Sequence, residues 1–383
     1  MRHERQVELL KRVLTEQDNT PAPLAPASAG NPAAAYTDPE RFERERRILF
    51  REGPAFVGLS CDMPGTGDYL SADLGGVSII VMRQRDGSLK GFVNACRHRA
   101  APLLGERRGT GLRSIACPYH AWTYNLQGEL KGRPGTGTAF SDVPMADCAL
   151  HGVAVVESHG IVFARAQGDA PLDASTVLRG AESELMDYGL ESYVHFDTRM
   201  TEWNCNWKLI LDTFTESYHI PWLHPKTIAP YFAHEQMICD LLGSAPRTIG
   251  LKKSVFDEFR KDDATDWRLL PHATVQYFVL PNALVVHQLD HFEVWRVEPV
   301  SVDRTRVFTS LYAPEPATDD KARGYWTRNL DLLVGVTSTE DFPMMEAIHR
   351  NLASGAVPGV IYGQLEPGLI NLHASIDQML SED

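Results

Sequence analysis

Two short motifs, each pairing a cysteine with a histidine, constrain the fold of this chain more than any other feature. Cys96 and His98 form the first motif, and Cys117 and His120 form the second after an interval of eighteen residues. Thiolates and imidazoles at such spacings are typical metal ligands, so the fold must bring two loops together around one centre. Pro118 stiffens the second loop.

Two kinds of centre use two cysteines and two histidines, a tetrahedral zinc site and a [2Fe–2S] cluster of the Rieske kind, and these four residues alone leave both open. Common zinc fingers place both cysteines on one segment and both histidines on a following helix. Here each loop carries one cysteine and one histidine. This arrangement favours the cluster, which also requires an electron acceptor elsewhere in the chain.

A second set of candidate ligands lies further along the chain. The apolar spacing predicts a helix over residues 207–220, with Glu216 and His219 on a face beside the apolar stripe. Pro221 ends this helix, so the chain turns and His224 can approach a metal bound by His219. Two imidazoles and one carboxylate with open positions are the ligand set of non-haem Fe(II) oxygenases.

The carboxylate ligand is expected from a distant segment, because Glu216 and Asp212 are candidate catalytic residues beside the metal. Asp341 is the best distant candidate and heads a predicted helix, while its neighbour Glu340 is the rival. An acidic residue at a helix N-terminus is often only a cap. The residues alone therefore leave the choice between Asp341 and Glu340 open.

Composition excludes several classes of function. The chain carries 37 Lys and Arg against 50 Asp and Glu, a net charge of -13, which argues against a nucleic-acid partner. No apolar run reaches the roughly 18 residues of a membrane span, and the N-terminus lacks the apolar core of a secretory signal. We expect a cytoplasmic protein without a membrane partner, whose six cysteines form no disulfide framework.

The N-terminal region, residues 1–50, is expected to contain a helix, a linker and a second helix. Apolar spacing predicts the first helix over residues 1–17. Residues 18–36 are rich in Pro, Ala, Asn and Gly and are interpreted as a linker or arm. Asp38 and Pro39 form a typical helix start. Aspartate caps the first turn, and the N–H that proline lacks would have no hydrogen-bond partner at this position.

Two domains are predicted after this region. Residues 51–165 contain short β-type runs separated by turns, which indicate a small antiparallel β domain that holds the two ligand loops. Residues 166–383 combine helices with four successive predicted strands between residues 273 and 312. Strands followed by helices predict an α+β fold class.

The combined motifs resemble the catalytic (α) subunit of the Rieske non-haem iron oxygenases, the aromatic-ring-hydroxylating dioxygenase family. The family pattern joins the two Cys/His loops to Asn-Trp-Lys, then to an acid shortly before His-x₄-His, and finally to a distal Asp. Asn206-Trp207-Lys208 supplies the middle element. The resemblance implies a Rieske [2Fe–2S] domain and a helix-grip (START-like) catalytic domain with an antiparallel sheet.

The resemblance also implies the ligand roles. Cys96 and Cys117 would hold one cluster iron, and the two loop histidines would hold the other. A mononuclear Fe(II) would be held by His219, His224 and Asp341. The resemblance further implies a homotrimer, with a β subunit as an additional option, in which Glu216 links His219 to a cluster histidine of the neighbouring protomer.

The implied activity is that of a terminal oxygenase, which uses O₂ and NAD(P)H-derived electrons from a ferredoxin or reductase to hydroxylate a small organic substrate. Aromatic substrates rank first, because they are the commoner class in the family. Glu216, where many members have Asp, resembles the branch that acts on quaternary ammonium compounds such as carnitine, choline and betaine, which is the alternative. A zinc-stabilised binding protein is the remote alternative.

Two surfaces follow from these expectations. Arginines outnumber acidic residues around the first motif, and they could bind an acidic redox partner or be ordinary solvated side chains. They are Arg97, Arg99, Arg107, Arg108 and Arg113. Aromatic residues are candidates for the substrate pocket; they are Trp222, Tyr231, Phe232, Tyr277, Phe278 and Phe292.

Overall fold

The computed structural model of the chain describes residues 1–17, 25–135, 137–168, 170–260 and 263–381. The chain divides into two compact units. The β unit comprises Arg47–Val177 and Leu190–Ser192. The α+β unit comprises Met1–Arg46, Leu178–Gly189 and Tyr193–Asp383. The domain limits expected from the sequence, at residues 50 and 165, stay a prediction.

The α-helices of the described residues range from single turns to long helices. They are α1 His3–Gln17, α2 Ala34–Thr37, α3 Pro39–Glu45, α4 Glu182–Leu185, α5 Trp207–Asp212, α6 Ile220–Leu223, α7 Val255–Glu258, α8 Asp320–Val336, α9 Phe342–Ala353 and α10 Pro367–Ser381. π-Helical segments follow α3 and α8, at Arg46–Glu52 and Thr337–Asp341. Within the described ranges, no helix combines the length and apolar character needed to cross a membrane.

The strands are all paired in antiparallel fashion. They are β1 Ala29–Pro32, β2 Ala55–Leu59, β3 Tyr69–Leu74, β4 Val77–Arg83, β5 Leu89–Val93, β6 Arg108–Gly109, β7 Ile115–Ala116, β8 Thr123–Tyr124, β9 Leu130–Gly132, β10 Gly152–Ser158, β11 Ile161–Arg165, β12 Val194–Trp203, β13 Phe232–Leu242, β14 Ala245–Lys252, β15 Ala273–Val279, β16 Ala283–Gln288, β17 His291–Ser301, β18 Arg304–Ala313 and β19 Gly359–Tyr362.

The β unit contains one large and one small sheet. The large sheet has the strand order β2-β11-β10-β5-β4-β3-β6, and the small sheet has the order β7-β8-β9. The first Cys/His loop lies between β5 and β6, and the second lies between β7 and β8. The expected antiparallel β domain that carries both loops is therefore confirmed.

The α+β unit is built on a seven-stranded antiparallel sheet with the order β12-β18-β17-β16-β15-β14-β13. The four strands expected between residues 273 and 312 are β15 to β18 and lie side by side in chain order. The C-terminal helix α10 packs on β13 and β14. The α+β fold class is confirmed, and a helix packed across an antiparallel sheet is the arrangement expected of a helix-grip domain.

The linker expected over residues 18–36 is only partly correct. Residues 18–24 lie outside the described residues, but Ala29–Pro32 form β1, which pairs antiparallel with β19 from Gly359–Tyr362. Composition did not show this strand, because its partner lies more than 300 residues away along the chain. The helix start at Asp38 is confirmed, since its carboxylate accepts a hydrogen bond of 2.9 Å from the backbone N–H of Glu40.

The helix predicted over residues 207–220 is wrong in its length. α5 ends at Asp212, and the next residues form turns before α6 begins at Ile220. The hydroxyl of Thr215 donates to the carbonyl of Asp212 at 2.7 Å, and its backbone N–H bonds the same carbonyl at 3.0 Å. Such local bonds compete with helical ones, and β-branched residues favour this outcome. Pro221 lies within α6 instead of ending the longer helix.

Candidate metal centres

The two Cys/His loops have nearly the same backbone structure. The N–H of Cys96 donates to the carbonyl of Ala101 at 2.9 Å, and the N–H of Cys117 donates to the carbonyl of Trp122 at 2.8 Å. Each cysteine carbonyl also accepts a bond from the residue four positions later, at 2.9 Å in both loops. The two loops therefore present their cysteines with the same local geometry.

Each loop turns through a left-handed alanine. Ala100 and Ala121 both have φ of 55°, a conformation that costs an L-residue free energy unless surrounding structure enforces it. The turns reverse the chain directly after the two histidines, His98 and His120. Strain of this kind in two corresponding positions is typical of a ligand site rather than of an ordinary surface loop.

The four predicted cluster ligands converge at the tips of these loops. The rings of His98 and His120 lie with centroids 4.6 Å apart, and Nδ1 of His98 is buried without a hydrogen-bond partner. Burial raises the pKa of the Cys117 thiol, but backbone N–H groups and the Cys96 side chain lower it by more, so the net shift is downward. A stabilised thiolate and an unpartnered imidazole nitrogen are what a metal centre needs.

Aromatic side chains surround this ligand set. Trp122 stacks on His98 with ring centroids 5.0 Å apart and an interplanar angle of 8°. The hydroxyl of Tyr124 lies 3.2 Å from Sγ of Cys96 and accepts a bond of 3.1 Å from the N–H of Arg97. Hydrogen bonds to ligand sulfur are among the features that set the reduction potential of an iron–sulfur cluster.

The second ligand set comes together in the α+β unit. His219, His224 and Asp341 each offer one ligand atom, and these atoms lie within 4.8 Å of one another. Oδ1 of Asp341 is 3.0 Å from Nε2 of His224 and 3.6 Å from Nε2 of His219. His224 and Asp341 are buried, whereas His219 is partly exposed. Two imidazoles and one carboxylate on one side of a common point can bind a divalent metal and leave positions open.

Each imidazole of this set is held from behind by its own glutamate. Nδ1 of His219 contacts Oε1 of Glu216, while Nδ1 of His224 contacts Oε2 of Glu340. Carboxylates in this position fix the tautomer and orientation of metal-binding histidines. Glu340, the sequence rival of Asp341, therefore lies behind His224 rather than at the common point.

Asp212 belongs to a buried hydrogen-bonded cluster. Its carboxylate accepts bonds from the hydroxyl of Tyr36 at 2.8 Å and from Nε2 of His373 at 2.9 Å. The Tyr36 hydroxyl also contacts that of Tyr362 at 2.6 Å. Asp212 thus links α5 to the N-terminal and C-terminal segments, and its expected catalytic role stays a prediction.

The Asn-Trp-Lys motif positions the start of α5. Asn206 caps the helix, and its side chain accepts a bond of 3.1 Å from the N–H of Lys208. Trp207 Nε1 and Lys208 Nζ both donate to the buried carboxylate of Glu45, with the Lys208 contact at 2.6 Å. Burial lowers the pKa of Lys208, and Glu45 opposes that shift. Sequence reasoning missed Glu45, because it lies in a distant helix and no local pattern connects the two.

A cavity of about 200 Å³ opens beside the second ligand set. Of the six aromatic residues expected to line it, Phe232 does so. Tyr277, Phe278 and Phe292 are buried in the core, while Trp222 and Tyr231 are exposed by 79% and 66%. The cavity-lining residues that the sequence did not predict lie on the sheet and around α5. They include Phe214, Gln276, Glu293 and Trp295. The alternation of side chains along β17 places Glu293 and Trp295 on one face.

Comparison with known families accounts for most of the chain. Residues 53–156 match the Rieske [2Fe–2S] domain. Residues 190–382 match the catalytic domain of the ring-hydroxylating α subunits. The first match contains both Cys/His loops, and the second contains His219, His224 and Asp341.

Two curated relatives and one solved structure illustrate the similarity. The glycine betaine monooxygenase oxygenase subunit of Chromohalobacter salexigens is 32% identical over 204 residues, which are 51% of this chain and 43% of that protein. The alignment therefore spans less than half of that relative. The chloroplastic choline monooxygenase of Beta vulgaris is 27% identical over 91% of this chain and 76% of that protein. The structure of a quaternary ammonium Rieske monooxygenase superposes with a TM-score of 0.79 at 21% identity, covering 92% of this chain and 96% of the other.

Proposed function

This chain belongs to the Rieske-type ring-hydroxylating oxygenase α subunits, and from that premise we propose that it is the terminal oxygenase of an NAD(P)H-dependent system that hydroxylates a small organic substrate with O₂. The family carries a Rieske [2Fe–2S] cluster and a mononuclear iron. The observation that carries the proposal is the convergence of His219, His224 and Asp341, with their ligand atoms within 4.8 Å of one another.

The loop residues of the β unit fit the cluster. Cys96 and Cys117 would hold one iron, and His98 and His120 would hold the other, which is the ligand division of a Rieske centre. The unpartnered Nδ1 of His98 and the lowered thiol pKa of Cys117 support this assignment. Family membership favours the cluster over the zinc site that the same four residues would also allow.

The residues of the α+β unit fit a mononuclear Fe(II). His219, His224 and Asp341 would be its ligands, and Glu216 and Glu340 would hold the two imidazoles in the correct orientation. When bound, the iron would supply open positions for O₂ and substrate, and the cluster would supply single electrons. The surrounding cavity walls would exclude water and position the carbon to be hydroxylated.

We also propose the partners that this chemistry requires. A ferredoxin or an NAD(P)H-dependent reductase would deliver electrons, and the chain would assemble as a homotrimer. Glu216 would then connect His219 to the neighbouring protomer's His120, which gives the carboxylate a role beyond holding one imidazole. The partial exposure of His219, Glu216 and His120 is compatible with such a contact.

Of the two substrate classes left open by the sequence, we propose the cationic one. The relatives named above act on glycine betaine, choline or other quaternary ammonium compounds. The cavity supports this class, because its described lining includes the carboxylate of Glu293 and no lysine or arginine. An aromatic hydrocarbon would require no buried charge in the wall.

The test uses purified holoenzyme with a reductase, and it measures substrate-dependent consumption of O₂ and NADH. Small ammonium compounds, both quaternary and N–H-bearing, should stimulate consumption, whereas benzoate and other aromatic acids should not. Stimulation by aromatic compounds alone would reject the cationic class but keep the oxygenase assignment. A purified protein that contains zinc in place of iron and shows no visible absorption would reject the assignment itself.

A further inference from the structure

Glu293 is a buried acid whose carboxylate forms part of the cavity wall. The residue is 4% exposed and lies on β17, an interior strand of the seven-stranded sheet. Burying an ionised group at such a position is unfavourable unless the group has partners. The charge of an acid at this position is either neutralised by neighbouring protein groups or used to bind a cationic ligand.

Internal partners balance Glu293 only in part. Nε2 of His291 lies 3.4 Å from Oε1 of Glu293 without forming a hydrogen bond, and Nδ1 of His291 bonds Asp290 at 2.9 Å. Two carboxylates therefore flank one imidazole, which can carry a single positive charge and so cannot pair fully with both. Among the described residues, no side-chain or backbone donor forms a hydrogen bond to the Glu293 carboxylate.

Lys252 is a second basic residue whose charge interacts with that of Glu293. Burial lowers its pKa, while the charges of Glu293 and Asp290 oppose that shift. Lys252 is not among the residues that line the cavity. The described lining of the cavity thus contains Glu293 on the sheet and no lysine or arginine.

Polar groups flank Glu293 on the same face of the sheet. The register places Gln276 opposite Val286, and Val286 opposite Glu293, so these side chains form a row across β15, β16 and β17. The amide oxygens of Gln276 and Gln288 each accept one bond from a threonine hydroxyl, at 3.2 and 2.8 Å. Each oxygen keeps a second lone pair, so the row adds acceptors beside the carboxylate.

Two aromatic residues of the described cavity lining pack on each other instead of facing each other across a space for a quaternary ammonium group. Such a group has no N–H and is held by several aromatic faces, each within about 6 Å of the charge. Phe214 and Trp295 pack on each other, with ring centroids 5.0 Å apart at an angle of 50°. Two rings in contact leave no room for a trimethylammonium group between them.

We propose that Glu293 is the anchor for a protonated aliphatic amine that keeps at least one N–H, and that it selects such amines over their quaternary counterparts. This inference rests on the proposed function, because it names the residue that binds the ammonium group of the substrate in the same cavity. An N–H-bearing ammonium approaches a carboxylate to about 2.8 Å in a charge-assisted hydrogen bond. The methyl groups of a quaternary ammonium hold its charge further away.

The test compares three probes of equal chain length: n-butylammonium, n-butyltrimethylammonium and n-butanol. Calorimetry on the metal-loaded protein measures their dissociation constants. Charged hydrogen bonds of ~1.5–3 kcal/mol correspond to roughly tenfold or more in affinity, so butylammonium should bind at least about tenfold more tightly than either other probe. Glu293→Gln should remove this preference, and its butanol affinity should stay unchanged.

Two further variants make the result specific. Asp290→Asn removes an acid that contacts the same imidazole but does not line the cavity, so it should keep the preference. Glu293→Asp keeps the negative charge, so it should still bind butylammonium more tightly than the other two probes. This variant serves as the test if Glu293→Gln does not fold.

Three outcomes would overturn the anchor: equal or tighter binding of butyltrimethylammonium, the same loss of preference in Asp290→Asn, or no binding of any probe. Each of these can occur in a protein that retains both iron centres and consumes O₂ with another substrate, in which case the proposed function stands. Failure to retain iron would instead count against the proposed function.

Discussion

The two candidate metal centres are built in different ways. The loops of the β unit take all their ligand residues from two short turns, each with its own internal hydrogen bonds and its own left-handed alanine. The site of the α+β unit takes two histidines from the segment around α6 and its carboxylate from the end of a π-helical segment at Asp341. The first centre is local in sequence, and the second is assembled by the tertiary fold.

The two sites differ in how far they depend on the rest of the chain. A loop that fixes its own cysteine needs little from the rest of the chain. The histidine site depends on the packing that brings α5, α6 and the segment before α9 together. It also depends on carboxylate partners such as the buried Glu45 and the partly exposed Glu340. Lesions in the two regions should therefore separate into distinct phenotypes.

Asp341→Ala should give the largest effect. Asp341 is the only carboxylate that the described residues bring to the common point. Without it, the protein should lose its mononuclear iron and its substrate-dependent O₂ uptake while the visible spectrum of the cluster stays intact. Iron analysis and absorption spectroscopy measure the two centres separately. Glu340→Gln is the matched control and should keep the iron with reduced affinity, by roughly 10–100-fold. Loss of the cluster spectrum in Asp341→Ala would show that the residue was misassigned.

Cys96→Ser is the reciprocal lesion. It should abolish the cluster absorption and the turnover driven by a reductase, because the thiolate is one of the four ligands proposed for the cluster. The mononuclear iron should remain, since no residue of that site lies in the β unit. Cys61→Ser provides the control, because Cys61 lies in the same unit as a free, unpaired cysteine away from the ligand loops. Joint loss of both irons would contradict the separation of the two centres.

Lys208→Met should destabilise the α+β unit. It leaves the Glu45 carboxylate buried without its ammonium partner, and breaking one side of a buried pair costs about 3–5 kcal/mol. Chemical denaturation measures the free energy of unfolding. Arg41, whose Nε lies 3.0 Å from Oε1 of Glu45, still pairs with this carboxylate in Lys208→Met, so the loss should lie toward the lower end of that range. The double variant Lys208→Met/Glu45→Gln should recover part of the loss, because it removes the buried charge that has lost its ammonium partner. An additive double variant would indicate that the pair contributes no coupling.

Glu216→Gln should keep both metals but slow the reaction. The amide still contacts His219, yet it cannot supply the negative charge behind the imidazole, and changes of this kind typically cost about 10–100-fold in activity. Single-turnover kinetics on the reduced protein measure the step directly. Normal single-turnover rates would refute the role proposed for Glu216 between the two centres.

Ala100→Gly and Ala121→Gly should give the smallest effects. Both alanines have φ of 55°, and glycine adopts this conformation without a steric penalty, so each change should stabilise the protein by about 0.5–1 kcal/mol. Thermal unfolding with the cluster retained is the measurement. Ala116→Gly in β7 is the control and should be destabilising, because glycine weakens a strand. Equal effects in the two loops would support their structural equivalence.

Much of the fold could be predicted from the sequence, for physical reasons that differ between segments. The strands β15 to β18 follow from side-chain alternation and from turn residues between them, which are local signals. The helix start at Asp38 follows from capping chemistry. The helix predicted through residue 220 failed, because hydrogen bonds made by Thr215 and neighbouring turns ended it at Asp212.

The sequence by itself determined the chemistry of this protein: the cysteines and histidines at their spacings, the predicted iron-binding histidines His219 and His224, and the α+β class. Only the tertiary structure placed Asp341 at the common point with Glu340 behind His224, joined Lys208 to Glu45, and turned Glu293 toward the cavity. The reason is that ligand identity is a property of short segments. Which of two adjacent acids meets a histidine more than a hundred residues away depends on long-range packing, which no local pattern encodes.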